Sequence, residues 1–480
     1  MTGLHSVEKI GGTSMAATET VFDNVLIAGR EGAELYGRIF VVSAYAGITD
    51  LLLEHKKSGR PGVFTRFLAD DPDESWEEAL DEVSAAMKAL NGRMFARAES
   101  RTDADRFVDG RIEAMHTCLD DLDRLRGHGH FRLTEPLATV REMLAGMGEA
   151  HSAHSTALLL RNRGVDAVAV DLTGWGQSDM PVLDDRITAA LDGLDVATQM
   201  PIVTGYAGCA GGMVSRYDRG YTEMTFARVA ALTKAREAII HKEFHLSSAD
   251  PRLVGPERAR KIGRTNYDVA DQLANMGMEA IHPRAGRELR QAEIKLRVRN
   301  TFDREDGGTL ISGDYVSDKP RVEIVTGHRA LFALQFFEQD MVGEKGYDAA
   351  ILEVLARHKA WIVSKSSNAN TITHHLSTSA ATVRRVIEDL EAKYSGAAIS
   401  ARTVAMVSVI GSDISTPGLV AHAMTALTDA GIVVIGLQHQ IRNVDIQFLI
   451  ETKDYDRTVR ALHDALILPA EAATEKRQAA

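Results

Sequence analysis

Over the first two thirds of the chain, short apolar runs alternate with stretches whose apolar positions recur at helical spacing. "RIFVVSAY", "VDAVAVDL" and "PIVTGYAG" read as strands, and "REMLAGMGEAHSAHSTALLLRNRG" between the first two reads as a helix. Such alternation predicts an α/β domain over residues 1–312, a mostly parallel sheet sandwiched by helices. Between about 56 and 132 the pattern becomes charged, Ala-rich and helical ("SWEEALDEVSAAMKALNGRMFARAES"), which predicts a helical insertion with a solvated face.

The polar stretch "DREDGGTLISGDYVSDKP" closes this zone, and the pattern beyond it repeats. The later copy reads strand "VAMVSVIG", helix "TPGLVAHAMTALTDAG", strands "IVVIGLQHQ" and "NVDIQFLIET", helix "DYDRTVRALHDAL". The earlier copy opens on "RVEIVT" or "FALQFFEQ" and continues through "GYDAAILEVLARHK", "WIVSKSS", "ANTITHHLS" and "SAATVRRVIEDLEAKY". Strand, helix, strand, strand, helix is the ferredoxin-like order, so two small modules are expected, at 320–400 and 401–470.

Composition narrows the function classes. A 480-residue chain with 45% hydrophobic and 25% charged residues has material for two or three packed domains. A net charge of -12 offers no broad positive field, so nucleic acid is not an expected partner, whereas a small phosphate ligand needs only a local cation. Cys118 and Cys209 stand far apart without CxxC spacing, which fits a reducing compartment and neither a disulfide framework nor a thiolate zinc site. With no apolar run of about 20 residues and no signal-like start, a cytoplasmic protein without a membrane partner is expected.

Five stretches carry candidate chemistry. In "VEKIGGTSM" the first strand delivers Lys9 to a turn made by Gly11 and Gly12 and closed by Thr13 and Ser14. Glycines there let the backbone approach a ligand with its N–H groups outward, and the lysine can neutralise phosphate oxygens. "VVSAYAGITDLLL" ends a strand in a small-residue loop, Ser43 to Thr49, where ligands collect in open sheets and where a plain strand–helix turn would read alike. In "GMGEAHSAHS", Glu149 follows a Gly-x-Gly segment. "YDRGYTEMTFA" sets Arg219, a fork suited to a carboxylate, just before Thr222 and Glu223. Finally "IIHKEFHLSSADPR", holding Lys242, Glu243 and Arg252, is followed by "IHPR". Its histidines lack the HExxH spacing, so no resident metal is expected.

Taken in order, these stretches resemble the aspartate kinases of the amino acid kinase fold, whose catalytic domain commonly precedes two ACT modules. The resemblance rests on Lys9-Ile10-Gly11-Gly12-Thr13-Ser14, on Ser43, Ala44, Gly47 and Thr49, on Gly148-Glu149, on the "TGY" ending at Tyr206, and on "ADPR" and "IHPR". The wording "EKIGGTS", "DRGYTEMTFA" and "IIHKEFHLSSADP" looks most like the divergent members associated with ectoine biosynthesis. It implies MgATP and L-aspartate as substrates, Lys9 and Glu223 as catalytic residues, and Ser43, Ala44, Thr49, Glu149, Tyr206, Arg219 and Thr222 around aspartate. Lys9, Gly11, Gly12, Thr13, Lys242, Glu243 and Arg252 would face the nucleotide. It further implies a homodimer through the ACT modules and an inhibitory amino acid such as threonine or lysine, with Met341, Gly346 and Asn368 near it. A dimer scaffold without an effector remains the plainer alternative.

The chain also departs from the family pattern. Arg-Gly-Tyr-Thr-Glu stands at 219–223 where Arg-Gly-Gly-Ser-Asp is usual, Lys242 and Glu243 replace a Thr-Asp pair, and Glu279 replaces a lysine. A sibling kinase acting on glutamate and a catalytically silent amino-acid sensor are the competing readings.

Overall fold

The computed structural model describes residues 3–56, 58–69, 75–278 and 280–468. The chain divides into two compact units, residues 1–245 with 281–313, and 246–280 with 314–480.

The first unit is built on strands β1 (Ser6–Ile10), β2 (Arg38–Val42), β3 (Ala167–Val170), β4 (Met200–Thr204) and β5 (Glu237–Lys242), followed beyond the second unit's β6 (Arg264–Asn266) by β7 (Lys295–Asn300) and β8 (Thr309–Ser312). Its sheet runs β3-β4-β2-β1-β5-β7-β8. The neighbours are parallel except β7 and β8, as expected where helical crossovers join the strands. Val7, Val41, Ile240 and Val298 line one face of the sheet, beside Lys9. Helix Tyr221–Leu232 packs on that side. The alternate positions make the other face, and there Glu8, Arg38, His241, Arg297 and Arg299 recur.

Helix Thr134–Arg161 is buried on most sides from Leu144 onward and packs on β3 and β4. The charged stretch forms helices Val63–Ala69, Trp76–Met94 and Ala98–Gly127, the last two packed on each other and the third against Thr134–Arg161. Ser75 caps the second of them, its hydroxyl accepting from the Glu78 amide at 3.2 Å in the S-x-x-E arrangement.

The second unit holds β9 (Ile324–Phe337), β10 (Trp361–Ser367), β11 (Thr371–Ser377), β12 (Ala398–Ile410), β13 (Val434–His439) and β14 (Asp445–Ile450) in one six-stranded sheet, β10-β11-β9-β12-β14-β13. Helices Tyr347–Arg357, Ala380–Lys393, Leu419–Asp429 and Tyr455–Leu466 complete two strand–helix–strand–strand–helix copies. The two segments offered by the sequence as alternative first strands, "RVEIVT" and "FALQFFEQ", fuse into β9, which pairs with β12 along most of its length. Gly327 permits that pairing, since a Cβ there would sit 1.9 Å from the Met406 carbonyl.

Residues 246–280 are continuous in sequence with the first unit but pack in the second. Ala249 and Val254 join its apolar core, and the Ser248 hydroxyl meets His463 Nε2 at 2.9 Å. No helix among the described residues is long and apolar enough to cross a membrane.

Candidate active site

β1, β2, β4 and β5 end at the same edge of the sheet, and most of the singled-out residues hang from those ends. Lys9, on the face opposite Glu8, is 9% exposed, and its Nζ lies 3.1 Å from Glu223 Oε1. Glu223 stands in the first turn of helix Tyr221–Leu232, and its second oxygen accepts from the His282 amide. Burial pushes this carboxyl up, but the charges of Lys9 and Lys242 together with the His282 amide outweigh burial and hold it below the usual carboxylate value. Glu223 is therefore a half-buried anion that fixes the lysine.

The turn after β1 closes over this pair. A Cβ on Gly12 would come within 2.7 Å of the Ala44 carbonyl, so only glycine lets the turn approach the end of β2 so closely. Gly11 faces the Lys9 amine and Glu243 Oε1. Ser14 donates to Glu243 Oε1 at 3.0 Å and meets the Thr301 hydroxyl at 3.1 Å, tying the turn to the loops after β5 and β7. Thr13 is exposed beside it.

The other side of the site is a buried carboxyl. Glu149 is 2% exposed and accepts from Thr222 Oγ1 at 2.7 Å, while its Oε2 has no hydrogen-bond partner. Burial pushes Glu149 up to about 8, against the downward pull of the Thr222 hydroxyl, the Lys9 charge and the amides of Tyr206 and Ala44. Glycines make room for it: a Cβ at Gly148 would meet Ala44 Cβ at 2.8 Å, and one at Gly146 the Tyr206 ring at 2.9 Å. At Gly205 a Cβ would stand 2.9 Å from Glu149 Oε2 and 2.3 Å from Thr222 Cγ2. Ser43 accepts from Ser152 through its carbonyl at 2.8 Å, and Thr49 is half-buried in the short helix Ile48–Leu52.

Glu142 was not anticipated from the sequence. Its carboxylate accepts from the Tyr206 hydroxyl at 2.9 Å, from the amides of Met213 and Val214 at 2.9 Å, and from the Ser215 amide at 2.8 Å and hydroxyl at 2.9 Å. The Tyr206 hydroxyl is thus committed to Glu142, and Tyr206 meets Glu149 through its backbone amide. Seven residues, two helical turns, separate Glu142 from Glu149, so one helix face organises both the loop and the pocket.

The structure therefore brings together Lys9, Gly11, Gly12, Ala44, Glu149, Tyr206, Thr222, Glu223, Lys242 and Glu243. Arg219 falls in the one-turn helix Asp218–Gly220, and its side chain, like residue Glu279, lies outside the described residues. Arg252 belongs to the second unit, exposed and 3.5 Å from Asp250. Also in the second unit, Met341 is part of an apolar core. There Gly346 precedes helix Tyr347–Arg357 at φ 102°, and Asn368 Oδ1 accepts from the Thr371 amide at 3.0 Å. Core, cap and turn roles account for these three without a ligand. His245, Asp303 and Asp306 set three ligand atoms within 4.8 Å of one another beside the ends of β5 and β7.

Comparison with known proteins assigns the family. The amino acid kinase family model matches residues 6–300, and an ACT domain model matches 407–466. The chain is 49% identical over 466 residues to the aspartate kinase Ask_Ect of Stutzerimonas stutzeri, covering 97% of this chain and 98% of that one. It is 29% identical over 349 residues to an aspartokinase of Geobacillus stearothermophilus, covering 69% and 83%. Among solved structures, Escherichia coli aspartokinase III in complex with lysine and aspartate is similar at TM-score 0.70 and 20% identity, over 96% of this chain and 99% of that one.

Proposed function

The chain belongs to the amino acid kinase family, and from that premise we propose that it is an aspartate kinase, transferring the γ-phosphoryl of ATP to the β-carboxylate of L-aspartate. The observation that carries the reading is the juxtaposition of the Lys9–Glu223 pair with Glu149, whose free carboxyl oxygen can take a substrate ammonium. The β-carboxylate of aspartate is an anion at neutral pH and needs no general base. One of its oxygens forms the new bond to Pγ as the bond from Pγ to the ADP oxygen breaks. What the protein contributes is alignment and charge.

In this reading Lys9 meets the transferring phosphoryl group, and the amides of the Gly11–Gly12 turn close on it. Ser43, Ala44, Thr49, Tyr206 and Thr222 shape the aspartate pocket, and Arg219 takes the α-carboxylate. Lys242, Glu243 and Thr13 flank the nucleotide. Magnesium, which neutralises phosphate charge when bound with ATP, prefers oxygen donors, and Asp303 and Asp306 offer them. The product would feed ectoine or aspartate-family amino acid synthesis, and the ACT pair would dimerise and bind threonine or lysine.

Hydroxylamine trapping tests the chemistry. With MgATP, hydroxamate should form from L-aspartate and not from L-glutamate or N-acetylglutamate, and threonine or lysine should suppress it. A folded protein that yields no hydroxamate from any acceptor would be a silent sensor, and one that prefers glutamate would be a sibling kinase.

Glu149 makes a separate prediction about pH. With its carboxyl at about 8, the empty site holds a proton at neutrality that must leave when the aspartate ammonium docks. Aspartate affinity should therefore rise roughly tenfold per pH unit between pH 6 and 8, then level off. Calorimetry in buffers of different ionisation heat should register release of about one proton at pH 7. A flat profile with no proton release would remove Glu149 from the ammonium site.

A further inference from the structure

The polar face of the first unit's sheet opens, at the end remote from Lys9, into a cavity of about 450 Å³. Ser6 and Glu237 at the starts of β1 and β5 line it, with Gly37 just before β2 and Arg297 within β7, whereas the site above gathers at the opposite, carboxyl ends. Five arginines border it, Arg30, Arg38, Arg236, Arg297 and Arg299, against three carboxylates, Glu8, Glu34 and Glu237. In a chain of net charge -12, that local excess of cations is out of keeping with the rest of the molecule.

Two of the arginines are neutralised in place. Arg38 pairs with Glu8 at 2.8 Å, and Arg297 with Glu237 at 2.7 Å. Arg299 spends one nitrogen on the carbonyls of Arg304 and Asp306, at 2.8 and 3.2 Å, which bind the fork without cancelling its charge. Arg236 is exposed at the rim. Arg30 is half-buried, and its Nη1 is enclosed without a hydrogen-bond partner. Burial and then the charge of Arg38, joined by Arg299, push this guanidinium's pKa down against the upward pull of Glu8 and Glu34, so the two carboxylates do not offset the surrounding cations and the burial. An enclosed guanidinium nitrogen lacking an acceptor is costly, and a multivalent oxyanion supplies both the acceptor and the missing charge.

We propose that this cavity is a second anion site, which takes a phosphate-class oxyanion, free or as the phosphate end of a small molecule, through Arg30, Arg236 and Arg299. Guanidinium forks match tetrahedral phosphate oxygens bidentately, whereas lysines would give only point charge. The space suits pyrophosphate or a small phosphate ester and excludes a polymer.

The test is titration calorimetry with pyrophosphate on the full chain, its kinase site filled by MgADP and aspartate. Saturable one-site binding is expected, with inorganic phosphate and glycerol phosphate as arms that separate a free anion from a phosphate ester. Arg236→Gln should weaken pyrophosphate by about tenfold with MgADP affinity unchanged, and Arg236→Gln/Arg299→Gln should abolish measurable binding. Should the double variant fold poorly, Arg236→Gln alone decides, being at the rim. No binding by the wild-type chain, binding unaltered in Arg236→Gln, or citrate binding as tightly as pyrophosphate would each overturn the assignment.

Discussion

Lys9→Ala is expected to lower kcat by about a thousandfold while leaving the KM for aspartate within a few fold. The lysine sits at the end of a central strand, 9% exposed, with Glu223 3.1 Å from its amine. Phosphoryl transfer asks the protein chiefly for fixed positive charge at the migrating group, and a buried amine held by one carboxylate supplies it without reorganisation. The substitution also strands Glu223, whose carboxyl is held low by Lys9 and Lys242. With one of those charges gone, burial weighs more and the Glu223 carboxyl should titrate higher than in the wild type. Lys9→Arg keeps the charge but not the reach, and should recover only part of the rate. Steady-state kinetics with hydroxamate detection would read both. A Lys9→Ala enzyme with wild-type kcat would mean that the amine only closes an ion pair.

Much of this site could be read from the chain because its residues come in contiguous strand-to-turn units. Lys9 with Gly11 and Gly12, the Ser43–Thr49 loop, and Gly148-Glu149 each span a few residues whose local geometry is set by their own sequence. What could not be read is which groups meet. The glycines of "GMGE" look like helix weaknesses until Ala44 and Tyr206 are seen against them. Glu142 reads as a solvated helical glutamate and is instead the acceptor for five donors. Its spacing from Glu149 was the available signal. "ADPR" is continuous with the kinase pattern, yet its packing partners, helix Tyr455–Leu466 among them, lie more than 70 residues further on, and no local feature announces that.

The polar face of the sheet was missed for a different reason. Alternation in "SVEKI" looks like a strand with one wet face, but a parallel sheet is covered on both faces, so a charged residue at every second position there must be paired or bind something. Parallel sheets normally read as unbroken apolar runs. The recurrence of Glu8, Arg38, Glu237, His241, Arg297 and Arg299 was therefore itself information.

The same face supplies the largest expected loss of stability. Glu8 accepts from Arg38 Nε at 2.8 Å and Nη2 at 3.2 Å, from Ser6 at 3.0 Å and from His241 Nε2 at 2.8 Å, and Arg38 also donates to the carbonyls of Leu26 and Val25. Arg38→Ala leaves that carboxylate buried without its main counter-charge and should cost about 3–5 kcal/mol at pH 7, measured by urea unfolding. Because the expense is the orphaned ion, replacing both partners, Glu8→Leu with Arg38→Met, should recover a large part of it. pH gives a second check. Burial opposes ionisation of Glu8, but Arg38 and His241 prevail and hold its carboxyl well below the ordinary 4.5, so its contribution is present above that value and fades as pH falls through the depressed one. Burial also pushes His241 down from 6.5, so this neutral imidazole begins to cost stability below that pH. In Arg38→Ala the Glu8 carboxyl, no longer held down, protonates at a higher pH, and the deficit against wild type should shrink between pH 7 and 5. A deficit below about 1 kcal/mol at pH 7, or one that grows on acidification, would mean that water reaches Glu8 and that the pair adds little to the fold.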